Sequence, residues 1–251
     1  MGATYMMEKQ LSSDFFRSKK SDFDENIKII RENIEKAAEL SNRKAEDISI
    51  LAATKTVAPE LINYAISNGI NLIGENRVQE FLSKADEINL DADSIHFIGH
   101  LQTNKVSQII DRVSMIESVG SLHLAEEISK RAKSVGKKMP ILIEVNVGEE
   151  ASKSGISPSK TEELVYEVSK LEGIRVKGLM TIPPISDDPA KTRQFFSNIY
   201  KLFVDIRDKK IDNIDMCCLS MGMSGDYVEA IAEGATQVRI GSALFGKRLY
   251  T

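Results

Sequence analysis

Short apolar runs alternate with helix-period patterns along almost the whole chain, and this alternation restricts the fold more than any other feature of the sequence. The runs lie near residues 48–54, 72–74, 95–98, 115–119, 141–147, 176–180, 216–221 and 237–240, and each reads as a strand. Helical patterns fall between them near 59–68, 77–88, 105–111, 121–135, 159–170, 189–208 and 225–233. Strand and helix in strict alternation imply parallel strands joined by crossover helices. About eight such units in a chain of 251 residues match a (β/α)8 barrel. An open doubly wound sheet is the alternative, and it would leave the last units without a place. A further amphipathic helix over 24–40, with Ile27, Ile30, Ile34, Ala37 and Ala38 at helical spacing, precedes the first strand. The expected organisation is therefore a single α/β barrel domain over residues 22–251, with an extra N-terminal helix. A polar, Lys- and Ser-rich segment over 1–21 is expected to be flexible.

A hydrophobic content of 42% in a chain of this length supplies a full core. The formal net charge of -4, with acids and bases interspersed, gives no basic field for nucleic acid or an anionic membrane. No signal core or membrane-length apolar segment is visible. The two cysteines, Cys217 and Cys218, are adjacent and build neither a disulfide framework nor a metal site, so they are expected in the core of a cytoplasmic protein.

Barrel active sites gather at the C-terminal strand ends, and polar or Gly-rich residues collect there in this sequence. Lys55 follows the first run, flanked by Thr54 and Thr56. A lysine at the end of an apolar strand is costly unless its amine is needed, and such amines serve Schiff-base chemistry. Gly74-Glu75-Asn76 follows the second run, Gly99-His100 the third and Met180-Thr181 the sixth. Ser220-Met221-Gly222-Met223-Ser224 closes the seventh run, with a serine able to cap a helix or bind an anion. Gly241-Ser242 opens the last helix, where free amides favour a phosphate. A lysine at one side and a phosphate cradle at the other fit a phosphorylated aldehyde, and pyridoxal phosphate is the commonest cofactor of that shape. Arg239, facing its pyridine nitrogen, could only donate and would leave the ring a weaker electron sink. A salt bridge at the barrel rim is the structural alternative for Arg239.

The runs LAATKT, GENRVQE, HFIGHLQTNK, EVNVGEEASKSG, VKGLMTIPP and LSMGMSGDYVEAIAEGATQVRIGSALFG, in this order from about Asp24 to Lys247, resemble the pyridoxal phosphate homeostasis proteins. These are single-domain relatives of the alanine racemase N-terminal barrel, a fold-type III pyridoxal phosphate architecture. The resemblance implies a covalent aldimine between the cofactor and Lys55, with Asn76 near the ring. It implies phosphate contacts from Ser224 and Gly241, and Arg239 at the pyridine nitrogen. Met180 and Met221 are candidates for packing on the ring, and His100 for lining the pocket. His96 is expected in the core and His123 on a helix face. Lys153 is either a transient acceptor of the aldehyde or a solvated loop lysine.

The implied function is to hold pyridoxal phosphate and release it, in intracellular homeostasis of the cofactor, with pyridoxal-phosphate-dependent apoenzymes as recipients. The alternative is an amino acid racemase of low activity. Racemisation needs a base on each face of the substrate carbon, and the racemases this barrel resembles draw their second base from a partner's extra domain. Apart from terminal Tyr250, no second base is visible on an apposed element. A third class, a cofactor-free Schiff-base aldolase, would account for Lys55 but not for Arg239 and the glycine loops. A monomer is expected, as is the absence of nucleic-acid or membrane partners.

Overall fold

In the computed structural model, which describes residues 2–150 and 153–246, eight strands pair in parallel in chain order. They are β1 (Ser49–Ala53), β2 (Ile73–Glu75), β3 (Ile95–Phe97), β4 (Met115–Val119), β5 (Met139–Val145), β6 (Ile174–Thr181), β7 (Ile214–Met223) and β8 (Gln237–Ile240). β1 also pairs with β8, so the sheet closes into a barrel and the open-sheet alternative is excluded. The helices are α1 (Gly2–Leu40), α2 (Pro59–Ser67), α3 (Val78–Lys84), α4 (Leu122–Ser134), α5 (Pro158–Ser169), α6 (Pro189–Asp208), α7 (Tyr227–Ala232) and α8 (Ser242–Phe245).

Side chains alternate across each strand and so build two layers. On β5, Ile141, Ile143 and Val145 join the apolar layer beneath the helices, whereas Leu142 and Glu144 fall on the opposite, barrel-facing side. The extra helix α1 starts at Gly2 rather than at Asp24. Its stripe of Phe23, Ile27, Ile30, Ile34, Ala37 and Ala38 is buried, and it packs on α7 and α8. Asn26 donates to the Leu244 carbonyl at 3.1 Å and Asn33 to the Tyr227 hydroxyl at 2.9 Å, tying both ends of the barrel sequence together.

Two expectations are corrected. The helix expected over 105–111 is a 3-10 segment at Thr103–Gln108. Val106 and Ile109, three residues apart, share one buried face there, a spacing that the three-residue turn eclipses. Cys217 is exposed and Cys218 half-buried, so the pair does not lie in the core. The β6–β7 register shifts between Val176 and Gly178, and Cys217 falls in the excess on β7. Gly178, with φ of 151°, passes so close to β7 that a Cβ would lie 1.7 Å from the Cys218 carbonyl oxygen.

Candidate functional site

The first strand delivers its lysine into a clamped turn. Thr54 is fully buried, with its amide donating to the Gly74 carbonyl at 3.0 Å and its hydroxyl bonded to Glu75 Oε1. Lys84 donates to the Thr54 carbonyl at 2.8 Å and pairs with Glu75 Oε1 at 3.0 Å. Thr56 then turns through a left-handed conformation with φ of 62°. Lys55, between these two threonines, is half-buried at the C-terminal rim. Lys84 was not singled out in the sequence, yet it continues the buried stripe Val78, Phe81, Lys84 at helical spacing. A cation on an apolar stripe signals a buried partner, here Glu75. Burial raises the Glu75 carboxyl above its ordinary range, opposed by Lys84 and the Thr54 hydroxyl.

Asn76 follows β2, and its amide oxygen is buried without a hydrogen-bond donor among the described residues. Gly99 packs on it so tightly that a Cβ would lie 2.0 Å from the Asn76 carbonyl oxygen. Across the rim, the Ser224 hydroxyl oxygen accepts from the amides of Gly241, at 3.2 Å, and Ala243, at 3.1 Å. The serine thus gathers the amides opening α8 around one oxygen, with Ser242 exposed beside them. Gly222 permits this approach through φ of 87°, and a Cβ there would meet the Ala230 Cβ at 2.5 Å. Met221 does not join this group, since its side chain packs in the outer apolar core while Ser220 faces inward. Met180 is buried but outside that outer layer.

Arg239 is buried, donating from Nη1 to the Ser220 hydroxyl at 2.6 Å and from Nη2 to the Thr181 carbonyl at 2.8 Å. Ser220 donates in turn to Glu117 Oε2 at 2.6 Å. Glu117 Oε1 accepts from Gln237 at 2.7 Å and lies 2.6 Å from His96 Nδ1. His96 is in the core as expected, within a polar network inside the barrel. Burial alone would raise the Glu117 carboxyl, but the His96 contact and the charge of Arg239 hold it below the ordinary range. Burial pulls Arg239 down, opposed first by Glu117. A rim salt bridge is therefore not what Arg239 makes: its partners are interior hydroxyl and carbonyl oxygens, with Glu117 one bond further.

Glu144 also faces the barrel mouth and is 8% exposed. It lines a cleft of about 660 Å³ with His100, Ser118, Ser121 and Ser154 among others. His100 is exposed, its Nδ1 lying 3.2 Å from the Ser154 hydroxyl. Lys153 is paired with Glu150 and donates to the Pro183 carbonyl at 3.2 Å, so the loop lysine is tied down beside the mouth. Tyr250 lies outside the described residues. Burial pushes the Glu144 carboxyl up to about 6, with Arg239 opposing. The folded protein therefore holds a proton that the unfolded chain has released, and the resulting stability is lost as pH rises through about 6. Glu144→Gln is expected to raise unfolding stability at pH 8 by about 2 kcal/mol and to leave it nearly unchanged at pH 4, measured by urea unfolding at both pH values.

Residues 26–248 match the family model described as alanine racemase, N-terminal domain. A pyridoxal phosphate homeostasis protein of Aquifex aeolicus is 43% identical over 227 residues, covering 90% of this chain and 98% of that one. The chain belongs to the pyridoxal phosphate homeostasis protein family. Among solved structures of related folds, an unknown protein from Bifidobacterium adolescentis aligns with a TM-score of 0.86 and 37% identity, covering 90% of this chain and 96% of that one. The structure of PipY from Synechococcus elongatus with pyridoxal phosphate bound aligns with a TM-score of 0.72 and 28% identity, covering 85% of this chain and all of that one. In this homeostasis-family barrel, Lys55, Asn76, Ser224, Arg239, Gly241 and Ser242 all lie at the C-terminal ends of β1, β2, β7 and β8, which are consecutive around the closed sheet. Among the described residues no helix is long and apolar enough to cross a membrane, and no cluster of His, Cys, Asp and Glu could hold a metal ion.

Proposed function

We propose that the protein holds pyridoxal phosphate at the C-terminal mouth of the barrel, through a covalent bond between its aldehyde and the Lys55 amine, and gives it up to pyridoxal-phosphate-dependent apoenzymes. The observation that carries this reading is the convergence, on four consecutive strands, of a lysine, an unmet buried amide oxygen, a gathered set of helix amides and a buried arginine. These groups fit the cofactor. The amides of Gly241 and Ala243, now satisfied by the neutral Ser224 oxygen, can take a phosphate oxygen, and the Ser224 hydroxyl can turn to donate. Asn76 supplies an acceptor and a donor to the ring substituents. Arg239, fixed through Ser220 and Thr181, presents donors only. When bound, pyridoxal phosphate supplies a reactive aldehyde on an electron-withdrawing ring. Arg239 leaves the ring nitrogen without an added proton, which weakens electron withdrawal and favours storage over turnover. The proposal includes residues 22–251 as the binding domain, a monomer, and a cytoplasmic location.

Titration of the purified protein with pyridoxal phosphate tests the reading. Uptake should reach one per chain with a visible absorbance band, and incubation with amino acids in deuterated water should leave their α-hydrogens in place by proton NMR. Rapid exchange would show an enzyme, and no uptake would end the cofactor reading. Ser224→Ala is expected to weaken cofactor retention about tenfold, the loss of one hydrogen bond to a charged group. The absorbance band should still form at high cofactor concentration, and retention equal to wild type would remove Ser224 from the cradle.

A further inference from the structure

Glu144 is out of keeping with its surroundings. A carboxylate this buried ordinarily has hydrogen-bond donors, yet among the described residues none reaches its side chain, which opens on a cleft, and Arg239 is the charge that acts on it. It lies on β5, and in a closed sheet of eight strands β5 stands across the barrel from β1, whose extension carries Lys55. Beside Glu144, at the C-terminal ends of β3, β4 and β5, opens the cleft of about 660 Å³, a size that admits a small ligand or an extended side chain. Its other lining groups include the hydroxyls of Thr103, Ser121 and Ser154, the amides of Gln102 and Asn104, and His100. No lysine or arginine is among the described lining residues. A cleft whose described lining holds one buried carboxylate, several neutral acceptors and neither lysine nor arginine complements an ammonium group.

We propose that this cleft is a receiving subsite for primary amines, in which Glu144 pairs with the incoming ammonium and takes its proton. The inference rests on the preceding reading for its purpose, because an amine is the group that exchanges with a lysine at an aldehyde carbon. The ammonium gives one proton to Glu144, and the freed amine forms a C–N bond to the carbon held by Lys55. As that bond becomes double, the double bond from the carbon to the Lys55 nitrogen breaks with its electrons staying on that nitrogen, which takes up the two hydrogens still carried by the incoming amine. The proton held on Glu144 then passes to the released lysine amine, restoring both charges. Nothing is oxidised or reduced. A carboxyl raised by burial is suited to both halves, since it is ionised at neutral pH and accepts a proton readily. Arg239 on β8 is the charge acting on it, His100 lines the same cleft, and Arg239 in turn is faced by Glu117 on β4 and by Asp226. Arg239 lowers the Glu144 carboxyl and so keeps it ionised against burial.

Two measurements decide the proposal, with propylamine as the probe. In the first, cofactor-loaded protein is mixed with increasing propylamine and the loss of the Lys55-bound absorbance is followed. Wild type should show a rate that saturates with amine, while Glu144→Gln should show a linear dependence and a rate at least tenfold lower at low amine. Equal saturation in both proteins would overturn the subsite. In the second, cofactor-free protein carrying 13C-labelled glutamate is titrated with propylamine, and separately with propionate, by NMR. The Glu144 carboxyl resonance, identified by its absence in Glu144→Gln, should move with the amine and not with the anion. A resonance unmoved by the amine would overturn the subsite even if the first experiment failed for lack of cofactor uptake, which would count against the carrier reading alone.

Discussion

Lys55→Ala is expected to abolish the visible absorbance that develops when the protein is incubated with pyridoxal phosphate, while leaving the fold intact. Lys55 lies beyond β1 at the barrel rim, so its truncation opens no core cavity. The clamp beneath it is formed by Thr54, Glu75 and Lys84. The proposed phosphate and ring contacts would remain, so the variant should still bind the cofactor noncovalently, with at least a hundredfold weaker retention on dilution. Measured by absorbance after gel filtration and by far-UV circular dichroism, an unchanged band in Lys55→Ala would mean that another amine holds the aldehyde.

Glu117→Ala is expected to lower stability by about 3–5 kcal/mol, the usual consequence of removing one member of a buried charged network. The lost carboxylate accepts from Ser220 and Gln237 and contacts His96, and the variant leaves Arg239 inside the barrel without its principal compensating charge. Glu117→Gln, which keeps an acceptor and the volume, should lose less. The midpoint of urea unfolding, with its slope checked for two-state behaviour, measures both. A loss below 1 kcal/mol for Glu117→Ala would show that Arg239 is neutralised some other way. The same variant should broaden or displace the visible band of bound cofactor, because Ser220 and Arg239 would no longer be held together.

The barrel was legible in the sequence because its signal is repeated: each apolar run and each helical stripe reports local geometry, and only their alternation is needed to imply parallel closure. The rim residues were legible for the same reason, since Lys55, Asn76, Ser224, Arg239 and Gly241 interrupt or end those runs. The interior network was not. Glu117 and Glu144 stand inside apolar strands, which is a signal, but nothing local says what meets them. Glu117 reaches Ser220 and Gln237 across sequence separations of 103 and 120 residues, and barrel closure alone brings them together. Met221 shows the opposite limit. It lies in the segment that closes β7, yet the two-residue period of that strand turns its side chain outward while Ser220 takes the inward place. The Cys217 expectation failed at a register shift, which no hydrophobic pattern reports.

Lys55 is the amine expected to carry the aldehyde. Protein incubated with pyridoxal phosphate, reduced with borohydride and digested should yield one modified peptide bearing the pyridoxyl phosphate mass on Lys55, by tandem mass spectrometry. A protein modified at Lys153, Lys84 or nowhere, with Lys55 unlabelled, would mean that Lys55 does not hold the cofactor.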